Sequence, residues 1–388
     1  MVVRATLLSR RKLVALDGVR GLAILAVMLH HSSWRLSSAT SAQQFFNWLM
    51  FQGWAGVDLF FVLSGFLITG ILLDSRDAVN YFGSFYARRA LRIFPLYYTF
   101  LLVAFLGFPF IAAATWLPVP ADRWIYVTYL TNWEVLWQGP WRHSILAHLW
   151  SLAVEEQFYF CWPLLVWLVR PRVLLPGLLA GEACVIAGRL WWVLGHGASQ
   201  AVVMATVTRM DGLLLGAVCA IVIRRYRLPQ RFIRLMPVIA GMGISSYILA
   251  AMQAKDQDRL METLGFPLLA VCFSLVVLYA VLTEGGTGPT QCLLTRRTLT
   301  NVGKYAYGLY VYHVPLFYFG DRLIARFAPA SVINAGWFGY VSSAILITLS
   351  YQTAKLTYNG FERHFLKLKD RFEPTYETRA AAAQFANP

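Results

Sequence analysis

Residues 16–31 read LDGVRGLAILAVMLHH, an apolar run with a carboxylate and a guanidinium near one end and two imidazoles at the other. Extended to 13–33, the run reaches about 20 residues, the length a helix needs to cross a hydrocarbon layer of about 30 Å. Its ionisable groups Asp17, Arg20, His30 and His31 are costly in lipid, so each calls for a partner, a water-filled cavity or a task. The basic residues Arg4, Arg10, Arg11 and Lys12 precede the run as in a signal sequence. Asp17 and Arg20 interrupt it, however, and no convincing cleavage site follows, so it reads as a retained first span.

The rest of the chain repeats the theme. Of 388 residues, 58% are hydrophobic and only 14% charged, and the mean hydropathy is +0.54, far too apolar for a soluble domain of this length. Apolar runs at about 13–33, 54–73, 94–112, 149–169, 173–193, 203–223, 235–252, 264–283, 302–320 and 333–354 predict an all-α integral membrane protein, a bundle of about ten transmembrane helices. With the N-terminus inside, 24 of the 34 Lys and Arg fall in inner segments and seven in outer ones, while Arg20, Arg189 and Arg209 lie within spans. That bias predicts a multi-pass protein of the plasma membrane with both termini cytoplasmic. It also explains the net charge of +15 without a basic soluble face, which speaks against nucleic acid. Residues 1–357 form the predicted transmembrane domain, and 358–388 a charged tail whose end is expected to be disordered.

The outer segment 113–148 is rich in Trp (116, 124, 133, 137 and 141), as suits chain at the headgroup level. Its stretch WIYVTYLTNWEVLW offers a short or re-entrant helix; a full crossing would reverse everything after it and spoil the charge bias. No internal repeat or inverted pair of broken spans is visible. The five cysteines (161, 184, 219, 272 and 292) are scattered, with no spacing suited to a metal site or a disulfide framework.

Geometry sorts the intramembrane charges. Arg20 and His31, eleven residues apart, share a helical stripe about 16 Å long, and His30 is turned about 80° away. On this topology His31, Asp58, Glu155 and Arg209 fall in the outer half, and Asp17, Arg20, Arg89 and Arg92 at the inner side: an inner anion site below an outer acid/base site. Arg88, Arg89 and Arg92, expected in a loop just before the third span, read either as topogenic charges or as bidentate phosphate ligands. His31 reads either as an interhelical hydrogen-bonding residue or, if a carboxylate holds it, as a general base. Glu155 shares a stripe with Ser151 and His148 and faces the expected pocket. Glu156, about 100° around, is expected to pair with Arg209. Glu182 and Arg189, seven apart and on one face, read as structural charges neutralised by neighbours. His313, two residues before Pro315, is expected to bond carbonyls that the proline frees.

Five segments in order carry a resemblance: LDGVRGLAILAVMLHH, GVDLFFVLSGFLITG, ARRALRIFPLYY, HLWSLAVEEQFYFCWP and RMDGLLLGA. From about Leu13 to Glu362 the chain resembles the acyltransferase 3 family of membrane acyltransferases. The resemblance implies a ten-helix bundle that takes acyl groups from cytoplasmic acyl-CoA and passes them to a hydroxyl, commonly of a sugar. It implies His31 as the essential histidine with Arg20 its motif partner, Arg89 and Arg92 as the Arg-x-x-Arg pair that meets CoA phosphates, and Glu155 or Glu156 as the acidic signature.

The resulting expectation is an O-acyltransferase. His31 takes the acceptor's proton, Asp58 or Glu155 orients the imidazole, and Arg20 or Arg209 stabilises the oxyanion; Asp17, Ser151, Glu156, Arg209 and Asp211 give possible support. Acyl-CoA, most simply acetyl-CoA, serves as co-substrate, with no tightly bound cofactor and no metal. The acceptor is a hydroxyl-bearing glycan or small molecule. Larger members of the family carry an extra periplasmic hydrolase-like domain that this sequence lacks, so a second transfer step would need another protein, and the compact length leans towards a macrolide or antibiotic-tailoring acceptor. The alternative from another class is a multi-pass transporter using the intramembrane charges.

Overall fold

A hydrophobic chain in lipid must satisfy every backbone N–H and C=O internally, and continuous helix does so most simply. The structure, a computed structural model, describes residues 13–36, 40–107, 122–134, 145–333 and 335–376, and among these there are helices and turns but no strand. The basic N-terminal residues, the end of the third expected span, three of the outer tryptophans (116, 137 and 141) and the expected disorder of the last residues lie outside the described residues.

Twelve helices carry the architecture: α1 (Val14–Ser33), α2 (Ser41–Phe51), α3 (Gly56–Asp74), α4 (Tyr81–Leu102), α5 (Trp150–Leu168), α6 (Pro171–His196), α7 (Asp211–Arg225), α8 (Gln230–Gln253), α9 (Phe266–Leu282), α10 (Arg297–Lys304), α11 (Ala306–Phe327) and α12 (Phe338–Thr357). Six helical stretches are long and apolar enough to cross a membrane: Val14–Ser33, Ser41–Asp74, Tyr81–Gly107, Pro171–His196, Gln230–Gln253 and Gln257–Leu282. Helices α5, α7, α11 and α12 occupy the other four expected stretches.

Two boundaries differ from expectation. Helix α4, which carries the third expected span, begins at Tyr81, so Arg88, Arg89 and Arg92 lie on its first turns and not in a loop before it; hydropathy marks where lipid begins, whereas a helix runs on into the polar layer. The expected span 203–223 is broken into Gln200–Met204, a 3₁₀ turn Thr206–Arg209 and α7. Ala205 is extended (φ −65°, ψ 134°), and side chains satisfy the carbonyls this region exposes: Asn132 Nδ2 donates to Met204 O (3.2 Å), Thr208 Oγ1 to Val202 O (2.7 Å) and Arg189 Nη1 to Thr208 O (2.7 Å). Within its described part, to residue 134, the stretch WIYVTYLTNWEVLW contributes to a five-residue helix, Arg123–Val127, and a turn at Thr131–Trp133.

Between apolar helices in lipid, close backbone approach replaces the hydrophobic effect as the attraction. Helices α3 and α7 pack in this way. A Cβ on Gly65 would stand 2.0 Å from the Leu213 carbonyl oxygen, and one on Gly216 would stand 2.2 Å from that of Val62. Both obstacles are backbone and cannot turn aside. Gly216→Val is therefore expected to cost about 1–3 kcal/mol and to lower the thermal unfolding midpoint in detergent. Gly188→Ala, whose Cβ meets open space, should leave it unchanged; equal midpoints for both variants would refute this account of the seam.

Candidate functional site

A cavity of about 440 Å³ opens between α1, α3, α4, α5, α10 and α11. Its basic wall comprises Arg20, Arg89, Arg92, Lys304 and Lys369; Asp17 and Glu155 are its acidic residues, and Tyr159, Tyr307, Tyr310 and Tyr358 its tyrosines. Arg89 and Arg92, at i and i+3 on α4, reach the same side of that helix. Arg20 pairs with Asp17 at 2.7 Å. Arg89 instead lies over the rings of Phe85 and Tyr159, and Arg92 over Tyr307. Among the described residues no carboxylate forms an ion pair with Arg89, Arg92 or Lys369.

Glu155 accepts from Ser64 Oγ (2.7 Å) and Tyr159 Oη (3.2 Å). It thus belongs with the arginines of the basic cavity and not with the outer histidine, a correction to the two-layer expectation. The cause is depth: Glu155 lies more than a turn into α5, within reach of α3. Ser151, one turn nearer the start of α5, also lines the cavity; its Oγ is 2.7 Å from Tyr310 Oη, which donates to the His148 carbonyl.

His31 does not line this cavity. It is half-buried near the end of α1, beside His313, whose Nε2 is 3.2 Å from His31 Nδ1. The tautomers follow from the partners. His313 Nδ1 faces the carbonyls of Leu309 (3.0 Å) and Tyr310 (2.9 Å), and His31 Nδ1 faces that of Val27 (2.9 Å). A carbonyl only accepts, so both Nδ1 atoms carry hydrogen in the neutral rings. His313 Nε2 is then an acceptor for the His31 N–H, and His31 Nε2 is left with its lone pair. Neither Asp58 nor Glu155 holds this imidazole. The carbonyl that Pro315 frees is that of Val311, and it is met by His148 Nε2 at 3.3 Å, not by His313.

The other charges form a separate buried layer. Arg209 Nη2 binds Asp58 Oδ1 at 2.8 Å, and Arg189 binds Asp211 through two bonds of 2.5 and 2.7 Å. The Phe266 ring lies 3.7 Å from the Arg209 guanidinium carbon and 5.4 Å from that of Arg189. The expected Glu156–Arg209 pair is thus overturned, because Asp58 occupies that role, while the neighbour that neutralises Arg189 is Asp211. Glu156 lies on the Arg89 side of α5. Among the described residues no group of His, Cys, Asp and Glu suits a metal ion.

Sequence reasoning missed Lys369 and the His313–His31 contact. Lys369 belongs to the turn Leu368–Phe372, beyond the last long helix. Burial, with Arg92, Arg89, Arg88 and Arg20 nearby, pushes its amine down to about 7. In the same region burial pushes the Glu362 carboxyl up to about 7, against the pull of Arg92.

A sequence profile of the family described as acyltransferase domain matches residues 13–351. The chain is similar to the peptidoglycan O-acetyltransferase OatA of Listeria monocytogenes, at 27% identity over 95% of this chain and 59% of that protein. It is likewise similar to the O-acetyltransferase OatA of Staphylococcus aureus NCTC 8325 (27%, covering 80% of this chain and 51% of the other) and to the putative O-acetyltransferase SACOL0978 of S. aureus COL (27%, 78% and 50%). The chain therefore spans between half and three-fifths of the length of these relatives. No solved structure matches it.

The buried layer makes a prediction of its own. Removing one member of a buried ion pair leaves the other uncompensated, at a cost of about 3–5 kcal/mol. Arg209→Met should therefore sharply lower the yield of folded protein and its unfolding midpoint. Asp58→Leu combined with Arg209→Met should recover much of the loss; a double variant as unstable as the single one would show that Asp58 is not the partner that matters.

Proposed function

The chain belongs to the acyltransferase domain family, and on that premise we propose that it is an O-acyltransferase that moves an acyl group, in the simplest case acetyl, from acyl-CoA to a hydroxyl. The observation that carries this reading is the cavity whose basic wall, Arg20, Arg89, Arg92, Lys304 and Lys369, has only Asp17 and Glu155 to answer it. Partly buried cations without an ion-paired carboxylate, as Arg89, Arg92 and Lys369 are among the described residues, favour a polyanion, and the CoA end of the donor supplies three phosphate groups. The cavity volume lies within the range of small-molecule sites, about 300–1,000 Å³.

In this reading the phosphates lie against Arg89 and Arg92, and the pantetheine arm extends past Glu155 towards Ser151 and Tyr310. Beyond that pair stands His31, with its Nε2 lone pair free. Its imidazole takes the proton of the acceptor hydroxyl as that oxygen bonds to the thioester carbonyl carbon. The C–S bond then breaks, and the leaving thiolate recovers the proton from the imidazolium. His313 acts as a positioning residue that fixes the His31 tautomer. The Ser151–Tyr310 pair must part for donor and histidine to meet. The similarity to a peptidoglycan O-acetyltransferase supports a glycan hydroxyl as acceptor. Ten spans, both termini cytoplasmic, in the plasma membrane, complete the proposal; the count is supported by the ten helical stretches, and the orientation by the distribution of Lys and Arg.

Purified protein in nanodiscs, supplied with labelled acetyl-CoA and muropeptide or oligosaccharide acceptors, should release CoA in proportion to acylated product. His31→Ala should lower kcat by roughly 10²-fold or more. His313→Phe should lower kcat by at least roughly tenfold with the donor's KM unchanged. A folded His31→Ala protein with full turnover would sink the assignment, and solute flux without CoA release would favour the transporter.

A further inference from the structure

The polar chain after α12 does not hang free. It passes through the turns Tyr358–Glu362, Arg363–Lys367 and Leu368–Phe372 and is then bonded along the start of α4 and the chain before it. Ser84 Oγ donates to Phe372 O (2.7 Å) and Asn80 Nδ2 to Glu373 O (2.9 Å). Val79 N donates to Thr375 O (2.9 Å), Thr375 N to Asn80 Oδ1 (2.8 Å) and Tyr376 Oη to Asp74 O (3.0 Å). These bonds hold a segment that carries Lys369 on the wall of the basic cavity.

We propose that this C-terminal segment is a built wall of the donor site, with Lys369 a phosphate ligand beside Arg89 and Arg92 that makes the cavity selective for phosphate-bearing thioesters; the proposal rests on the reading of acyl-CoA as donor. The argument is electrostatic. Chain that merely covers the cytoplasmic end of a bundle places its lysines in water, because an ammonium ion is strongly hydrated. Here the amine is drawn in beside Arg92, Arg89, Arg88 and Arg20 without a carboxylate partner among the described residues. Such an arrangement is unfavourable by itself and becomes favourable when an anion of more than one charge lies between the cations. The backbone bonds at Phe372, Glu373 and Thr375 hold it in readiness for that anion.

The test compares Lys369→Met, Lys369→Arg and the surface control Lys367→Met in nanodiscs of neutral lipid. Each is assayed with acetyl-CoA and with acetyl-pantetheine, and binding of adenosine 3′,5′-bisphosphate is measured directly. Lys369→Met should raise the KM for acetyl-CoA roughly tenfold at unchanged kcat, leave acetyl-pantetheine kinetics unaltered and weaken bisphosphate binding by a similar factor. Lys369→Arg should retain most of the affinity, and Lys367→Met all of it. Asn80→Ala, which loosens the segment while keeping Lys369, should raise the KM in the same selective way. If the bisphosphate binds the parent protein and not Lys369→Met while acetyl-CoA is not consumed, the anion site stands and the donor reading falls. Equal effects of Lys369→Met on both thioesters would overturn the proposal, as would no effect on either. So would failure of the bisphosphate to bind the parent protein in neutral lipid, the result expected of a site for anionic headgroups.

Discussion

A guanidinium does not shed its proton in a protein, so wherever the bundle buries one it must bring a counter-charge. Arg209, only 3% exposed, imposes this on four helices. Asp58 on α3 supplies the carboxylate, Phe266 on α9 supplies a ring face, and Arg189 from α6 with Asp211 on α7, near the same ring, completes the layer. The glycine seam lets this happen. Only because Gly65 and Gly216 carry no Cβ can α3 and α7 come close enough for Asp58 and Arg209 to meet. A buried pair of this kind adds little net stability over well-packed apolar residues, but it penalises every other arrangement of the same helices severely. It therefore specifies the packing more than it strengthens it. It also commits Asp58: a carboxylate that neutralises Arg209 is not available to orient a histidine.

The helices were legible because lipid leaves so few alternatives. A run of about 20 apolar residues has one economical conformation in a bilayer, and each expected stretch is mostly helical within the described residues, though the one at 203–223 is broken. The break between Met204 and Asp211 was not legible. A hydropathy window averages over Thr206, Arg209 and Asp211, whereas the backbone there answers to three-dimensional partners such as Asn132 and Arg189. The start of α4 escaped for a related reason, since nothing in hydropathy separates a loop from helix continuing beyond the apolar layer.

At the site, spacing and charge were enough to place Arg20, Arg89 and Arg92 at one end of the bundle, and they line one basic wall. Helical phase also put Ser151 and Glu155 on the pocket face of α5. The depth of Glu155 was misjudged because phase gives direction around a helix but not which neighbour stands opposite at that height. Lys369 carried no signal at all. It sits in a polar tail nearly 280 residues from Arg92, among ordinary surface charges, and only the bonds that tie Phe372, Glu373 and Thr375 to the start of α4 reveal where it goes.

The partner of His31 bears on how such a base would work in lipid. A carboxylate beside the ring would stabilise the imidazolium, but in the resting protein it would be a second desolvated charge needing its own compensation. His313 avoids that cost. A neutral ring whose Nδ1–H is held by the carbonyls of Leu309 and Tyr310 fixes the tautomer of His31 through an uncharged hydrogen bond, leaving Nε2 as the acceptor. What it forgoes is the lasting stabilisation of a protonated base. An imidazole so placed would suit a proton held only while an oxygen attacked and a thiolate departed, because in the proposed reaction the leaving group would take the proton back. Burial of the resting site and rapid return of the proton are then two consequences of one choice of neighbour.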